Sequence, residues 1–295
     1  MRDDRAVVEL SETGFRIESV GASLTVAASG VVDPVRPSVL FLPALGVPLG
    51  YYGPLFEAWA GRGRAVFGAE TRGMPLSPVH NRASATGYAA LVGHDVPALV
   101  GAVGERSPGG VMVVGHSLGG QVALLAAAAG RIDVDAVVAV ASGTSAVESV
   151  PTLPGRLRRR FEIAVVRSTI STLGYWPGHR LGFGGRQSRD LMADWAYEAR
   201  RGGYRLAGDA TDYEAALGRL EVPTLLVGIE GDELITPRAL RHLADRLPPS
   251  VDTVEVPESP DRQHGHFAWA RRDPEAVITP IEEWLARHES RNSEG

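Results

Sequence analysis

The chain has no cysteine, and all thirty of its basic residues are arginine, so it has no lysine either. The first absence removes disulfides, thiolate metal sites and a cysteine nucleophile. The second removes Schiff-base catalysis and a P-loop lysine. No apolar run reaches the roughly 18 residues a membrane span needs. The opening "MRDDRAVVEL" mixes charges of both signs with no apolar stretch and small-residue cleavage site, so no secretory signal is visible and a soluble cytoplasmic protein is the default. The net charge of -5 lacks the basic balance of a dedicated nucleic-acid binder.

What is present is an alternation. Of 295 residues, 44% are hydrophobic, enough for a sizeable core. "VVELSETGFRIESVGASLTVAAS" reads as two or three N-terminal strands with turns at Thr13-Gly14 and Val20-Gly21. "SVLFLPA" is a short continuous apolar run, as expected of a strand buried on both faces. Apolar residues at helical spacing follow in "YYGPLFEAWAGRG". Then come a strand in "RAVFGAE", a helix in "GYAALVGHDVPALVGAVG", a strand in "VMVVG", a helix in "LGGQVALLAAAAG" and a strand in "VDAVVAVAS". Strands separated by helices of ten or more residues pair in parallel through crossovers, which predicts an α/β fold with a mostly parallel sheet.

Between residues 143 and 220 the rhythm stops. This segment contains no convincing strand and is too long for a loop, so it is expected to be a helical insertion over one end of the sheet, a cap or lid. The alternation resumes with "VPTLLVGIEGD" and ends in a helix over "PEAVITPIEEWLARH". The expected organisation is a core of residues 1–142 and 221–295 with a cap at 143–220. Between Arg156 and Arg205 the insertion carries eleven arginines against four acids. That charge could draw in an anionic substrate, or it could be a solvated helix face.

With cysteine and lysine gone, serine and threonine remain as covalent catalysts, with carboxylates behind them. "VMVVGHSLGGQ" places Ser117 between a buried strand ending at Val114 and a helix starting at Leu118, where a tight turn exposes its hydroxyl. Gly115 and Gly119 are expected because a Cβ at either would collide across so sharp a reversal. The plain alternative is an N-cap serine. A serine nucleophile needs a base and an acid, in this arrangement in the order Ser, Asp or Glu, His. Asp232 follows a late apolar strand, with Glu230 and Glu233 as rivals. His264 and His266 lie in the loop after the last strand and are level on these grounds. His116, inside the turn, is expected to pack.

The chain resembles the α/β-hydrolase superfamily, and within it a group of predicted bacterial serine α/β hydrolases, over roughly Ser38 to Trp284. The likeness rests on "LPALGVPLGYY", "VGHSLGGQ", "LGYWPGHRLGFGG", "DWAYEARRGGY" and "GHFAW". It implies that the catalytic histidine follows glycine and precedes an aromatic, which selects His266. The chain departs from its relatives at Glu70-Thr71, before Arg72-Gly73. The expected mechanism has Ser117 as nucleophile, His266 as base and Asp232 as the group orienting it. The oxyanion would be held by the backbone N–H of Leu118 and of Leu45, with Ala44 the alternative for the second. The implied substrate is a small acyl molecule (ester, thioester or amide), with no cofactor and no metal. Acyl transfer or cyclisation through the same acyl-enzyme, and a non-catalytic binding protein on this fold, are the competing readings.

Overall fold

A computed structural model describes residues 14–74, 86–258 and 264–293. Ten strands are present among them: β1 (Phe15–Ser19), β2 (Ala22–Ser29), β3 (Ser38–Leu42), β4 (Val66–Ala69), β5 (Val111–His116), β6 (Ala136–Val140), β7 (Tyr175–Pro177), β8 (Arg186–Ser188), β9 (Thr224–Ile229) and β10 (Asp252–Val256). Eight form one sheet in the order β1-β2-β4-β3-β5-β6-β9-β10. β1 with β2 and β2 with β4 are antiparallel, and every other neighbouring pair is parallel. A third strand upstream of Phe15 would lie outside the described residues.

The central strands are continuous apolar runs because helices cover both faces of the sheet. Along β3, Leu40 and Leu42 enter one core and Val39 and Phe41 the other. The first core is closed by the helix at 88–104, the helix Leu118–Ala128 and the insertion. The second is closed by Gly53–Gly61, Gly265–Arg272 and Pro274–Ser293, which bury Trp59, Trp269 and Trp284. The Arg72-Gly73 loop is fastened from below. Asp95, fully buried in the π-helical turn Leu91–Asp95, accepts from Arg72 Nε at 2.9 Å and Nη2 at 2.6 Å, and from Ser19 Oγ at 2.7 Å. Glu70 of the departing dipeptide accepts from the Leu49 N–H at 3.2 Å.

The segment between β6 and β9 is helical, with one difference from expectation. The long helix Leu153–Leu173 is capped by Thr152, whose hydroxyl accepts from Gly155 N–H, and it stops at Gly174 with φ 76°. Then β7 and β8 form an antiparallel hairpin where no strand is expected. Its strands are three residues each, too short to display an alternation. Side chains hold its turn instead: Trp176 Nε1 donates to Phe183 O at 2.8 Å and Gln187 Nε2 to Gly184 O at 2.7 Å. Ser188 then caps the helix Arg189–Arg201.

Candidate active site

β5 delivers His116 and then turns at Ser117, which has φ 53° and ψ −114° before the helix Leu118–Ala128 begins. Holding a non-glycine residue there costs on the order of 1–3 kcal/mol, so the surroundings must enforce it. They do so through backbone and glycines. Ser117 N–H donates to Val140 O at 2.9 Å, and Ser142 Oγ donates to Ser117 O at 2.9 Å. A Cβ on Gly115 would collide with the Gly119–Gly120 backbone, and one on Gly119 with the Leu42 carbonyl. Ser117 occupies the N-cap position, yet its side chain makes no capping bond, which removes the plain alternative.

Asp232 follows β9 and is 5% exposed. Its Oδ1 accepts from Leu234 N–H at 2.8 Å and Ile235 N–H at 2.9 Å, which fixes the carboxylate plane. Oδ2 accepts from His266 Nδ1–H at 2.7 Å. That bond sets the tautomer, so Nε2 is the basic nitrogen of the neutral ring. The rivals sit elsewhere. Glu230 accepts from Glu258 N–H at 2.8 Å, and Glu233 is exposed. His264 is buried with Nε2 3.3 Å from Asp273 Oδ2, at the start of the helix Gly265–Arg272.

His116 does more than pack. Its Nε2 lies 2.9 Å from His266 O and its Nδ1 2.7 Å from the Tyr52 hydroxyl, which in turn accepts from Ala44 N–H at 3.1 Å. The carbonyl can only accept and the amide can only donate, so the protons are ordered. Ala44 N–H donates to Tyr52 O, Tyr52 O–H to His116 Nδ1, and His116 Nε2–H to His266 O. Burial, followed by the adjacent His266 ring, holds the His116 pKa well below the usual histidine value, so it stays neutral. Burial likewise pushes the Tyr52 hydroxyl far up. This chain of bonds joins the loop after β3, the turn after β5 and the helix Gly265–Arg272, which carries His266 where a loop position is expected. Ala44 N–H is thereby committed inward, whereas Leu45, the next residue, is partly exposed. Neither Tyr52 nor His116 is singled out for this by sequence, although both lie within the motifs that carry the family resemblance.

The segment between β6 and β9 meets the rest of the chain at several places, two of which fall on the motifs that carry the family resemblance. The turn of the β7–β8 hairpin presses on the loop after β3: a Cβ on Gly46 would strike Gly184 O, and one on Gly184 would come within 2.9 Å of Leu45 Cδ2. On the helix Arg189–Arg201, Asp194 and Glu198 turn inward. Asp194 accepts from Tyr88 N–H at 2.8 Å, serving the start of the helix at 88–104, and burial raises its pKa to about 6. Glu198 accepts from the Thr144 hydroxyl and from Ser145 N–H at 3.1 Å, and burial raises its pKa to about 7. Both carboxylates belong to the "DWAYEARRGGY" stretch. Three arginines of the "RLRRR" region are already engaged: Arg158 and Arg159 pair with Glu162, and Arg156 Nε donates to Val150 O.

Residues 33–259 match the family described as serine aminopeptidase, S33. The chain belongs to that family. Solved structures similar to this S33 family chain include the enol-lactonase from Burkholderia xenovorans LB400, with TM-score 0.61 at 17% identity over 92% of this chain and 100% of that one. They also include E-2-(acetamidomethylene)succinate hydrolase, with TM-score 0.60 at 20% identity over 92% and 98%. A third is the thioesterase domain from the curacin biosynthetic pathway, with TM-score 0.58 at 17% identity over 92% and 98%. No curated protein matches the chain. At these identities the likeness establishes the α/β-hydrolase fold, and the chemistry must be argued from the site.

Proposed function

We propose that this S33 family hydrolase is a serine hydrolase acting on a small acyl substrate (an ester, thioester or amide), with Ser117 as nucleophile, His266 as base and Asp232 as its orienting acid. The observation that carries the reading is the strained Ser117 turn directly after His116, whose ring centre lies 4.9 Å from that of a histidine, His266, with Nδ1 held 2.7 Å from a buried carboxylate. His266 Nε2 takes the proton from Ser117 as its oxygen attacks the acyl carbon, and Asp232 stabilises the imidazolium that forms. The oxyanion is met by the backbone N–H of Leu118, at the start of the elbow helix, and of Leu45. Leu45 is preferred to Ala44 because the Ala44 N–H already donates to Tyr52. The leaving group then takes the proton from His266, and water resolves the acyl-enzyme by the same route in reverse. Residues 143–220 are the cap that shelters this chemistry. The enol-lactonase, hydrolase and thioesterase names of the similar structures agree with attack on an acyl carbonyl.

The test needs no knowledge of the natural substrate. A fluorophosphonate probe should label the wild-type chain covalently, and Ser117→Ala should abolish labelling while its far-ultraviolet circular dichroism and melting stay native-like. Undiminished labelling of folded Ser117→Ala protein removes the nucleophile assignment.

A further inference from the structure

The helix Leu153–Leu173 turns Ile163, Val166 and Ile170 toward the core. The opposite side should be polar, and it is not. Leu153 (69% exposed), Leu157 (55%), Phe161 (69%) and Val165 (37%) recur every fourth residue along it. At about 100° per residue this spacing advances roughly 40° per step, so the four sweep an apolar band about 120° wide on the outer face. Arg158 borders the band on one side, and Arg160 and Arg167 border it on the other. Scattered exposed apolar residues are ordinary, but a continuous band along one helix marks an interaction surface.

A second observation stands beside it. Between this helix and Arg189–Arg201 runs a groove of about 220 Å³ lined by Arg167, Arg189 and Arg200 together with Ser171 and Tyr197, with no carboxylate in its lining. Three arginines lining a space of this size, beside the apolar Ile170, Ala193 and Ala196, suit a phosphate, which arginine's planar fork can meet with paired hydrogen bonds. Arg167 belongs to both features, so the anion groove and the apolar band share one surface.

We propose that this surface docks on an anionic phospholipid bilayer, with the apolar band entering the headgroup–acyl boundary and a lipid phosphate seated in the arginine groove. A second copy of the chain is the poorer occupant: the helix Leu153–Leu173 holds five arginines and one glutamate, so face-to-face pairing would set like charges together. An anionic bilayer answers both halves of the surface at once, since interfacial helices place apolar residues below arginines held at the phosphate level. The proposal does not depend on the catalytic assignment, and binding can be read with Ser117→Ala protein.

The experiment is co-sedimentation of the full chain with vesicles of phosphatidylcholine alone and of phosphatidylcholine mixed with phosphatidylglycerol, at low and high salt. Binding should occur on the mixed vesicles, weaken with salt, and be slight on the neutral ones. Each groove arginine removed should lower partitioning about fivefold, so Arg167→Gln with Arg200→Gln should lower it about 25-fold. Phe161→Ser should lower it roughly tenfold or more. All these side chains are exposed, and circular dichroism of each variant confirms its fold. The proposal is overturned by absence of binding to the mixed vesicles, by equal binding to both kinds, or by variants that bind like wild type. It is equally overturned if calorimetry finds inorganic phosphate binding without vesicle binding, or if light scattering finds a dimer that Phe161→Ser dissociates.

Discussion

Removing a single oxygen tests the bonded chain beneath the site. In Tyr52→Phe the ring stays in its pocket against Phe41, at 4.6 Å between centroids, and only the hydroxyl is lost. That hydroxyl serves two buried partners, the Ala44 N–H and His116 Nδ1, and the vacancy left by one oxygen is too small to admit water in its place. Each stranded group costs about 1–3 kcal/mol. Less the relief of no longer burying the hydroxyl itself, the expected loss is about 3 kcal/mol. At roughly 2 °C per kcal/mol for a chain of this size, the melting temperature should fall by about 6 °C. The second effect is on the reaction. Ala44 precedes the proposed oxyanion donor Leu45, and His116 steadies the backbone carbonyl of His266, so both halves of the site loosen together. The second-order rate of fluorophosphonate labelling should fall about 10 to 100-fold, equivalent to about 1.4–2.8 kcal/mol. Pairing Tyr52→Phe with His116→Leu should give less than the sum of the single losses, because each variant already breaks the same bond. If Tyr52→Phe melts within about 1 °C of wild type and labels at the same rate, the hydroxyl supports neither structure nor site and the reasoning is wrong.

Two further outcomes can be measured on the same preparations. His266→Ala should lower turnover of an activated ester on the order of 10⁴-fold or more, whereas His264→Ala, which loses only a 3.3 Å contact to Asp273, should keep most activity and lose stability instead; comparable losses in turnover would defeat the assignment of the base. Glu198 binds its proton more tightly folded, with a pKa of about 7, than unfolded, at about 4.3, so its contribution is full below about pH 4.3 and lost as pH rises through about 7. Glu198→Gln cannot titrate, so its stability relative to wild type should rise by about 2 kcal/mol between about pH 5.5 and pH 8.5, as urea melts would read. His116, held neutral, acts in the opposite direction, its contribution being lost as pH falls below about 6.5, but it is common to both proteins and cancels. A difference that is flat or falls with pH would refute the buried-carboxylate reading.

How much of this was legible in the sequence depends on how local each cause is. β3, β5, β6 and β9 show as continuous apolar runs because helices cover both their faces, and the elbow shows because its glycines answer to backbone collisions within a few residues. The β7–β8 hairpin has no such signature: strands of three residues carry no period, and its stability comes from Trp176 and Gln187 bonding to the turn between them. Position alone left His264 and His266 level, and the family resemblance chose between them. The contact with Asp232 spans 34 residues, which no local pattern encodes. Tyr52 and His116 lie 64 residues apart and are related only through the fold. Asp194 and Glu198 did leave a trace, being carboxylates spaced i, i+4 among Leu191, Trp195 and Ala199 on the buried side of their helix. Acids on an apolar face call for partners, and here Asp194 finds a backbone donor of the core at Tyr88 while Glu198 finds hydroxyl and backbone donors at Thr144 and Ser145, just after β6.

The bonded chain from Ala44 to His266 has one more property. A hydrogen-bonded wire conducts a proton only if every link can reverse, and this one ends in an amide that cannot accept and a carbonyl that cannot donate. It therefore holds a single proton order and acts as a strut, not as a relay. Two imidazoles stand 4.9 Å apart between ring centres, yet no proton can pass from one to the other along it. The buried ring lends rigidity without entering the acid–base cycle, so a pH–rate profile of this enzyme should carry the signature of one histidine.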